Sequence, residues 1–255
     1  MERPAVALRG LRKSYGPKLA VAGVDLSVPT GSFFGLVGPN GAGKSTTLKM
    51  TTGLLRPDGG TAVVDSVDVW QDPVTAKARI GVLPEDLRLF DRLSGSELLT
   101  FNGLLRRMDP AVTAARAGDL LDVLGLSDAA GQLVIDYSQG MRKKIALACA
   151  LLHAPRVLFL DEPFESVDPV SARTIREVLE HYTGSGATVV FSSHVMETVE
   201  RLCDRVAILH QGRLVASGPL DEVRGGQTLE DAFIHLVGAD DAVKAALPWL
   251  DTSSG

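Results

Sequence analysis

One nonapeptide constrains the fold of this chain more than any other stretch: Gly38-Pro39-Asn40-Gly41-Ala42-Gly43-Lys44-Ser45-Thr46. It fits the pattern G-x-x-x-x-G-K-[ST] at every fixed position. The apolar run Phe33–Val37 before it predicts a strand, and the residues from Thr46 onward predict a helix. A glycine loop in that context forms a nest of backbone N–H groups at the positive end of a helix dipole, which binds phosphate. The alternative, a glycine-rich turn with a solvated lysine, does not explain the strand and the helix.

The residue types in this loop suit a nucleoside triphosphate with its metal ion. Gly38, Gly41 and Gly43 have no Cβ atom, so the loop can adopt positive φ and phosphate can approach the backbone. In loops of this pattern the lysine, here Lys44, reaches the β- and γ-phosphates, and the next hydroxyl, here Ser45, binds Mg²⁺. We therefore predict that all the residues from 38 to 46 contact the nucleotide.

The composition is that of a globular domain without a membrane segment. Of the 255 residues, 45% are apolar and 22% are charged, and the net charge is −5, which disfavours a nucleic-acid-binding surface. The longest apolar run, residues 145–152, is far shorter than the ~20 residues of a membrane helix, and the N-terminus lacks a signal-peptide core. Cys149 and Cys203 lie among apolar residues and predict buried free thiols. We expect a cytoplasmic protein that reaches a membrane only through a partner.

Strand and helix patterns alternate along most of the chain. Residues 95–124 predict two helices, which begin near Ser96 and at Asp109-Pro110, and Gly125 ends the second. Apolar strands separated by helices predict a parallel sheet covered on both faces. Further helices are predicted over residues 138–152, 169–181 and in the tail, and strands over residues 5–8, 24–28, 61–64, 79–83, 157–160, 187–191, 205–210 and 213–216.

Two carboxylates follow the apolar run at residues 157–160. Asp161 and Glu162 stand at the end of a predicted strand, and strand carboxyl ends line the crevice where open α/β sheets bind ligands. Asp161 would orient Mg²⁺ through water, and Glu162 would be the general base for the attacking water. The alternative is a solvated acidic turn, which the phosphate loop elsewhere in the chain makes the weaker interpretation.

The segment Tyr137-Ser138-Gln139-Gly140-Met141 completes a resemblance to a known family. Together with the phosphate loop and Asp161-Glu162, it resembles the ATP-binding subunits of ABC transporters, in which a signature of Leu-Ser-Gly-Gly-Gln type opens a helix. Ser138 and Gly140 match the signature, whereas the other three positions depart from it. Ser138 can cap the helix and donate to a phosphate, and Gly140 lets the backbone approach. By itself the segment would be read as an N-capped amphipathic helix.

The resemblance implies roles for three further residues. Tyr15 matches the aromatic residue that stacks on adenine, although a half-buried strand aromatic is an equally good interpretation without the family. His194 matches the histidine that senses the γ-phosphate, so that Lys44, Glu162 and His194 are the implied catalytic residues. Asp168 matches the loop that crosses the dimer interface, and it also suits a helix N-cap.

Two acidic residues depart from the family pattern. Glu85 stands where the family has a glutamine that contacts Mg²⁺ and the attacking water. A carboxylate can still bind the metal, so Ser45, Asp161 and Glu85 are the implied metal ligands, but its charge repels the γ-phosphate. Glu165 would raise the pKa of Glu162 if both side chains face the site.

The resemblance also implies the fold and its division. We expect an α/β fold of the P-loop NTPase, RecA-like type, with a mostly parallel sheet and an N-terminal antiparallel β subdomain. A helical subdomain would be inserted at about residues 86–140. Residues 1–225 would form the ABC ATPase domain, and residues 226–255 would form a short C-terminal helical tail.

The implied function is ATP binding and hydrolysis that power transport through a separate membrane permease. ATP and Mg²⁺ are the implied cofactors, and the segment Ser138–Lys144 resembles the variant found with ABC-2 type exporters of drugs, lipids or polysaccharides. Each ATP would lie between Lys44 of one subunit and Ser138 of another in a head-to-tail homo- or heterodimer, on the inner face of the cell membrane and without nucleic acid.

Two other functions remain open at the level of sequence. The first is a non-transport ABC protein that acts as a nucleotide-driven clamp or regulatory switch, which the acidic charge and the absence of a coiled-coil insert disfavour. The second is a subunit that binds ATP but has lost efficient hydrolysis, which is suggested by the departures from the family pattern at Glu85 and Gln139.

Overall fold

Ten strands form two β-sheets in the computed structural model, which describes residues 3–238. The strands are β1 (Val6–Tyr15), β2 (Lys18–Val28), β3 (Phe33–Val37), β4 (Gly59–Val64), β5 (Val67–Asp68), β6 (Ile80–Leu83), β7 (Val157–Asp161), β8 (Thr188–Ser193), β9 (Arg205–His210) and β10 (Arg213–Pro219). The first sheet is antiparallel, with the order β2-β1-β4-β5. It confirms the predicted N-terminal antiparallel unit.

The second sheet has the order β10-β9-β3-β8-β7-β6. All of its neighbouring strands are parallel except β9 and β10, which form the predicted hairpin. Every residue of β3 and of β7 is buried, as expected for strands covered on both faces. The prediction of a mostly parallel, doubly covered sheet is therefore confirmed.

Helices connect the strands, and most begin at a residue that caps them. The helices are α1 (Lys44–Thr51), α2 (Pro73–Arg79), α3 (Gly95–Leu105), α4 (Pro110–Val123), α5 (Gln139–Leu151), α6 (Pro169–Gly184), α7 (Met196–Leu202), α8 (Leu220–Arg224) and α9 (Leu229–Val237). Asp109, Ser138 and Asp168 each accept hydrogen bonds from N–H groups of the first turn, as the sequence predicts. These caps set where α4, α5 and α6 begin.

Several predicted boundaries of helices and strands are wrong. The first helix of the 95–124 segment starts after Ser94 and not at Ser96, because Ser94 and Glu97 form a reciprocal capping box. Helix α1 starts at Lys44, two residues earlier than predicted. Strands β1 and β2 are much longer than the predicted runs at 5–8 and 24–28, since their partly solvated sheet tolerates polar residues and register shifts.

Adjacent residues of the central strands belong to two different hydrophobic clusters. Phe33 and Leu158 lie in a cluster with α3, α4, α5 and α6, whereas Phe34 and Phe159 lie in a cluster with the antiparallel sheet and α1. The parallel sheet is thus the middle layer of the fold, because successive strand residues point to opposite faces. The carboxyl ends of β3, β6, β7 and β8 are left at one edge.

The helical segment and the tail pack on the same core. Leu98 and Leu121 of the predicted insert belong to the first cluster, and so does Leu229 of α9. The predicted division into an ATPase domain that ends at residue 225, a helical subdomain at about residues 86–140 and a C-terminal tail therefore stays a prediction. Residues 239–255 of the predicted tail lie outside the described residues.

The two cysteines are free thiols, as predicted. Cys203 is buried, but the prediction of burial is wrong for Cys149, which is only partly buried. Its Sγ atom lies on the face of α5 where the Asn102 amide donates to it at 3.4 Å. Among residues 3–238, no helix combines the length and the apolar character needed to cross a bilayer.

Candidate nucleotide-binding and catalytic site

A cleft of about 330 Å³ opens at the carboxyl edge of the parallel sheet. The loops after β3, β6, β7 and β8 and the β1–β2 hairpin contribute its walls. Its lining residues are Tyr15, Lys18, Ala20, Asn40, Gly41, Ala42, Gly43, Lys44, Ser45, Thr46, Glu85, Glu162, Glu165 and His194. Most of the residues predicted for the site from separate parts of the sequence therefore meet in one place.

Lys44 is the first residue of α1 at the end of the phosphate loop, and it is only 5% exposed. Its Nζ atom donates to the carbonyl of Gly38 at 2.7 Å and to that of Pro39 at 3.3 Å. The same atom lies 3.5 Å from Oε1 of Glu162. Gly38 and Pro39 do not line the cleft, and they contribute to the site through these carbonyl groups.

Glycine is required in the loop partly because other strands approach it. A Cβ atom at Gly38 would lie 2.1 Å from the carbonyl oxygen of Leu209, and one at Gly43, where φ is +103°, would lie 2.6 Å from that of Ala20. Gly41 has a φ of +81° and no neighbour within 4 Å of its Cβ position. Gly41 therefore leaves the loop open toward a ligand, whereas Gly38 and Gly43 hold the loop against β9 and β2.

The three predicted metal ligands lie together. The Ser45 hydroxyl donates to Oδ1 of Asp161 at 3.0 Å and lies 3.3 Å from Oε2 of Glu85. Burial raises the pKa of Asp161, and hydrogen bonds from Ser192 and Ser45 act against that rise. This all-oxygen donor set fits Mg²⁺, and a bound cation would offset the cost of burying the Asp161 carboxylate.

Within residues 3–238 no cluster of three or more His, Cys, Asp and Glu side chains forms a cation site. The two carboxylates and one hydroxyl of Ser45, Glu85 and Asp161 are too few oxygens to surround an ion alone. Mg²⁺ typically completes such a shell with water and with substrate phosphates. A metal at this site would accordingly depend on bound nucleotide.

Glu162 is held through its main chain and through its side chain. Its φ is +48°, a left-handed conformation that is uncommon for a non-glycine residue. Its N–H donates to Ser192 Oγ at 3.0 Å, and its carbonyl accepts from Lys143 Nζ at 2.7 Å. Its carboxylate lies between Lys44 and His194, with 3.1 Å from Oε2 to Nδ1 of His194. The carboxylate is therefore directed into the cleft by four neighbours.

Sequence reasoning missed two residues of this site. Ser192 is fully buried and donates to Oδ1 of Asp161 at 2.6 Å, while it accepts from Glu162 N. The available signal is a pair of serines that follows three apolar residues at the end of strand β8. Lys143 is 4% exposed, and burial lowers its pKa, while the nearby carboxylates led by Glu165 act to raise it. Its signal is a lysine on the buried face of α5.

The signature residues lie outside the cleft. Ser138 is exposed and caps α5, where its Oγ accepts from the N–H of Met141 at 3.3 Å. Gly140 is buried in its own chain, and a Cβ there would lie 2.7 Å from both Asp168 Oδ2 and Ser171 Oγ. Close packing of α5 on the start of α6 is thus a reason for glycine at 140 that the sequence did not reveal. A contact of Ser138 and Gly140 with a nucleotide on another subunit stays a prediction.

Tyr15, Asp168 and Glu165 are the remaining implied residues, and the roles that the resemblance gives them stay predictions. Tyr15 ends β1, is 50% exposed and lines the cleft. Asp168 caps α6, and the hydrogen bonds from Ser171 lower its pKa. Glu165 lines the same cleft as Glu162, and its effect on Glu162 stays a prediction.

The phosphate loop and the acidic strand end are arranged as in a known class of enzyme. A glycine loop follows the parallel strand β3, its lysine contacts a glutamate after β7, and its serine contacts the neighbouring aspartate. This is the arrangement of a P-loop nucleoside triphosphatase, in which loop and strand end hold the phosphates and their metal ion.

Comparison with known proteins identifies the family. The family model described as "ABC transporter" matches residues 21–165, which is more than half of the chain. Linearmycin resistance ATP-binding protein LnrL of Bacillus subtilis is 37% identical over 222 residues, which cover 86% of this chain and 71% of that protein. Daunorubicin/doxorubicin resistance ATP-binding protein DrrA of Streptomyces peucetius is 39% identical over 220 residues, which cover 86% of this chain and 67% of that protein. The chain belongs to the ABC transporter family and is an ATP-binding ATPase subunit of it.

A solved structure agrees with this assignment. The ATP-binding subunit of an ABC transporter superposes with a TM-score of 0.85 at 29% sequence identity and covers 91% of this chain and 99% of that one. The resemblance drawn from the phosphate loop, Asp161-Glu162 and the Ser138 segment is therefore confirmed at the level of family and fold.

Proposed function

We propose that this chain hydrolyses ATP to drive an exporter and that a separate transmembrane permease is its partner at the cytoplasmic face of the membrane. The relatives LnrL and DrrA are named for resistance to linearmycin and to daunorubicin and doxorubicin, which supports export of a drug-like compound. The observation that carries hydrolysis is the position of the Glu162 carboxylate between Lys44 and His194 at the mouth of the phosphate loop.

The geometry supports a distinct role for each residue of the cleft. Lys44 would exchange its bonds to the Gly38 and Pro39 carbonyls for bonds to the β- and γ-phosphates. Glu162 would accept the proton of the attacking water, and His194 would orient Glu162 and contact the γ-phosphate. Tyr15 would stack on adenine at the outer end of the cleft.

Ser45, Asp161 and Glu85 would hold Mg²⁺, which when bound neutralises charge on the phosphate oxygens. The Ser45 hydroxyl lies within hydrogen-bond distance of a carboxylate oxygen of both Asp161 and Glu85. Glu85 brings a charge that a glutamine would not. That charge favours the cation and opposes the γ-phosphate.

The assembly that we propose is a head-to-tail dimer with ATP between the subunits. Ser138 stands exposed at the start of α5 and does not line the cleft of its own chain. The N-terminus of α5 is the positive end of the helix dipole, which suits a phosphate. A second chain would therefore complete each site with its own Ser138.

Replacement of Glu162 by Gln tests this proposal. The glutamine side chain cannot take up the proton of water, so turnover should fall by roughly 10²-fold or more. ATP binding should persist, and the dimer should accumulate with ATP in size-exclusion chromatography with light scattering. Glu177→Gln is the matched control, because Glu177 is an exposed acid on α6 that pairs with Arg173.

Unimpaired hydrolysis by E162Q would contradict the assigned mechanism. Steady ATPase activity of the unsubstituted chain would exclude the alternative of a subunit that only binds ATP. Membership of the ABC transporter family favours transport over a nucleotide-driven clamp, and co-purification with a membrane protein and not with nucleic acid would agree with it.

A further inference from the structure

One face of α5 contacts the carboxyl edge of the parallel sheet in its own chain, where Glu162 lies. Gly140 and Lys143 are three residues apart and therefore share a face of the helix. Gly140 packs against Asp168 and Ser171 at the start of α6, and the Lys143 ammonium donates to the carbonyl of Glu162 at 2.7 Å. The helix that begins with the exposed Ser138 is thus attached to the strand end that carries Glu162.

The burial of Lys143 needs a compensating interaction. The residue is 4% exposed, and a buried ammonium is costly unless it is paired and hydrogen-bonded. The Glu162 carbonyl is the hydrogen-bond acceptor of its Nζ atom, and the charges of Glu165, Asp161, Glu162 and Glu85 surround it.

The main chain at Glu162 needs external support. Its φ of +48° costs energy for a non-glycine residue and persists only where neighbouring groups enforce it. Ser192 holds the N–H side of this residue, and Lys143 holds the carbonyl side. Together these contacts determine where the Glu162 carboxylate points.

We propose that Lys143 is a positioning residue for the reaction: it fixes the backbone of Glu162, and it couples that carboxylate to the placement of α5. The step rests on the proposed function, since it assumes that Glu162 is the general base. A shift of α5 on contact with the partner's nucleotide would then change the geometry of hydrolysis in its own subunit.

The test compares Lys143→Met with Lys144→Met in the purified full-length chain. Methionine keeps an unbranched side chain and removes the donor. We expect kcat of K143M to fall roughly 10- to 100-fold, the range expected when a catalytic group is misplaced by about 1 Å. KM for ATP and the affinity for a fluorescent ATP analogue should stay within about twofold of the wild-type values, because the substitution removes no contact that binds ATP in the ground state. Lys143→Arg keeps a charged donor and should restore most of the lost kcat.

Lys144 is the matched control because it is the next residue on α5, and its Nζ lies near Gly125, away from the cleft. K144M should keep the wild-type kcat. A folded K143M variant with wild-type kcat would overturn the proposal. Equal losses of kcat and of ATP affinity in K143M, with no recovery in Lys143→Arg, would also overturn it. If K143M does not fold, Lys143→Gln carries the same comparison with the same two outcomes. An inactive wild-type chain together with an inactive K144M would instead overturn the proposed function itself, so the two failures are distinguishable.

Discussion

Replacement of Ser192 by Ala removes one hydroxyl that supports both carboxylate residues at the end of β7. The hydroxyl is fully buried, accepts from Glu162 N at 3.0 Å and donates to Asp161 Oδ1 at 2.6 Å. Alanine leaves the Glu162 N–H without a partner, whereas Asp161 keeps its hydrogen bond from Ser45. The strained backbone of Glu162 would then be held on the carbonyl side alone.

The size of the effect follows from the groups left unpaired. A buried donor without an acceptor costs about 1–3 kcal/mol, and a hydrogen bond to a charged group contributes about 1.5–3 kcal/mol. The two terms overlap because Asp161 retains one partner, so we expect the free energy of unfolding to fall by about 2–4 kcal/mol. With a urea m-value of about 3 kcal/mol/M, the unfolding midpoint should fall by about 1 M.

The assay is urea unfolding followed by circular dichroism, with Ser193→Ala as the control. Ser193 is also buried and adjacent on β8. Its hydroxyl bonds to the backbone of Val195 and to no charged group among residues 3–238, so its loss should cost about 1 kcal/mol. ATPase activity of S192A should fall as well, because Glu162 is less well fixed. A midpoint shift for S192A no larger than that for S193A would show that the Ser192 hydroxyl does not support Glu162 and Asp161.

Two further predictions concern packing and charge. Gly140→Ala places a Cβ atom 2.7 Å from Asp168 Oδ2 and Ser171 Oγ and should lower the free energy of unfolding. Gly118→Ala, on an open face of α4, should raise the free energy of unfolding by about 0.5–1 kcal/mol. Thermal unfolding measures both effects, and destabilisation of equal size at both sites would contradict the prediction. Asp161→Asn should stabilise the nucleotide-free chain near pH 7, because burial raises the folded-state pKa of Asp161 and the charged form therefore disfavours folding above that pKa. The gain should vanish below about pH 4, where the carboxyl group is protonated in both states, and a gain that grows in acid would have the wrong sign.

Local sequence was sufficient for the parts of the site that are contiguous in the chain. The phosphate loop lies between a strand and a helix as predicted, and Asp161 ends a buried strand. Asp109, Ser138 and Asp168 cap helices because a cap involves only the residues of one turn. The boundary at Ser94 was missed for a similar local reason: the reciprocal bond to Glu97 outweighs the helical pattern that begins at Ser96.

Local patterns are enough to establish the family, the phosphate loop and the acidic strand end, because the chemistry of each depends on neighbours in the chain. The groups that support Glu162 are set by long-range contacts. Strand β8 lies between β3 and β7 in the sheet although it follows both in the chain, and this order brings Ser192 beside Asp161. Likewise, the packing of α5 on the start of α6 brings Lys143 to the Glu162 carbonyl. Such contacts between distant segments depend on the order of the strands and on how the helices pack, and they leave no local pattern in the sequence.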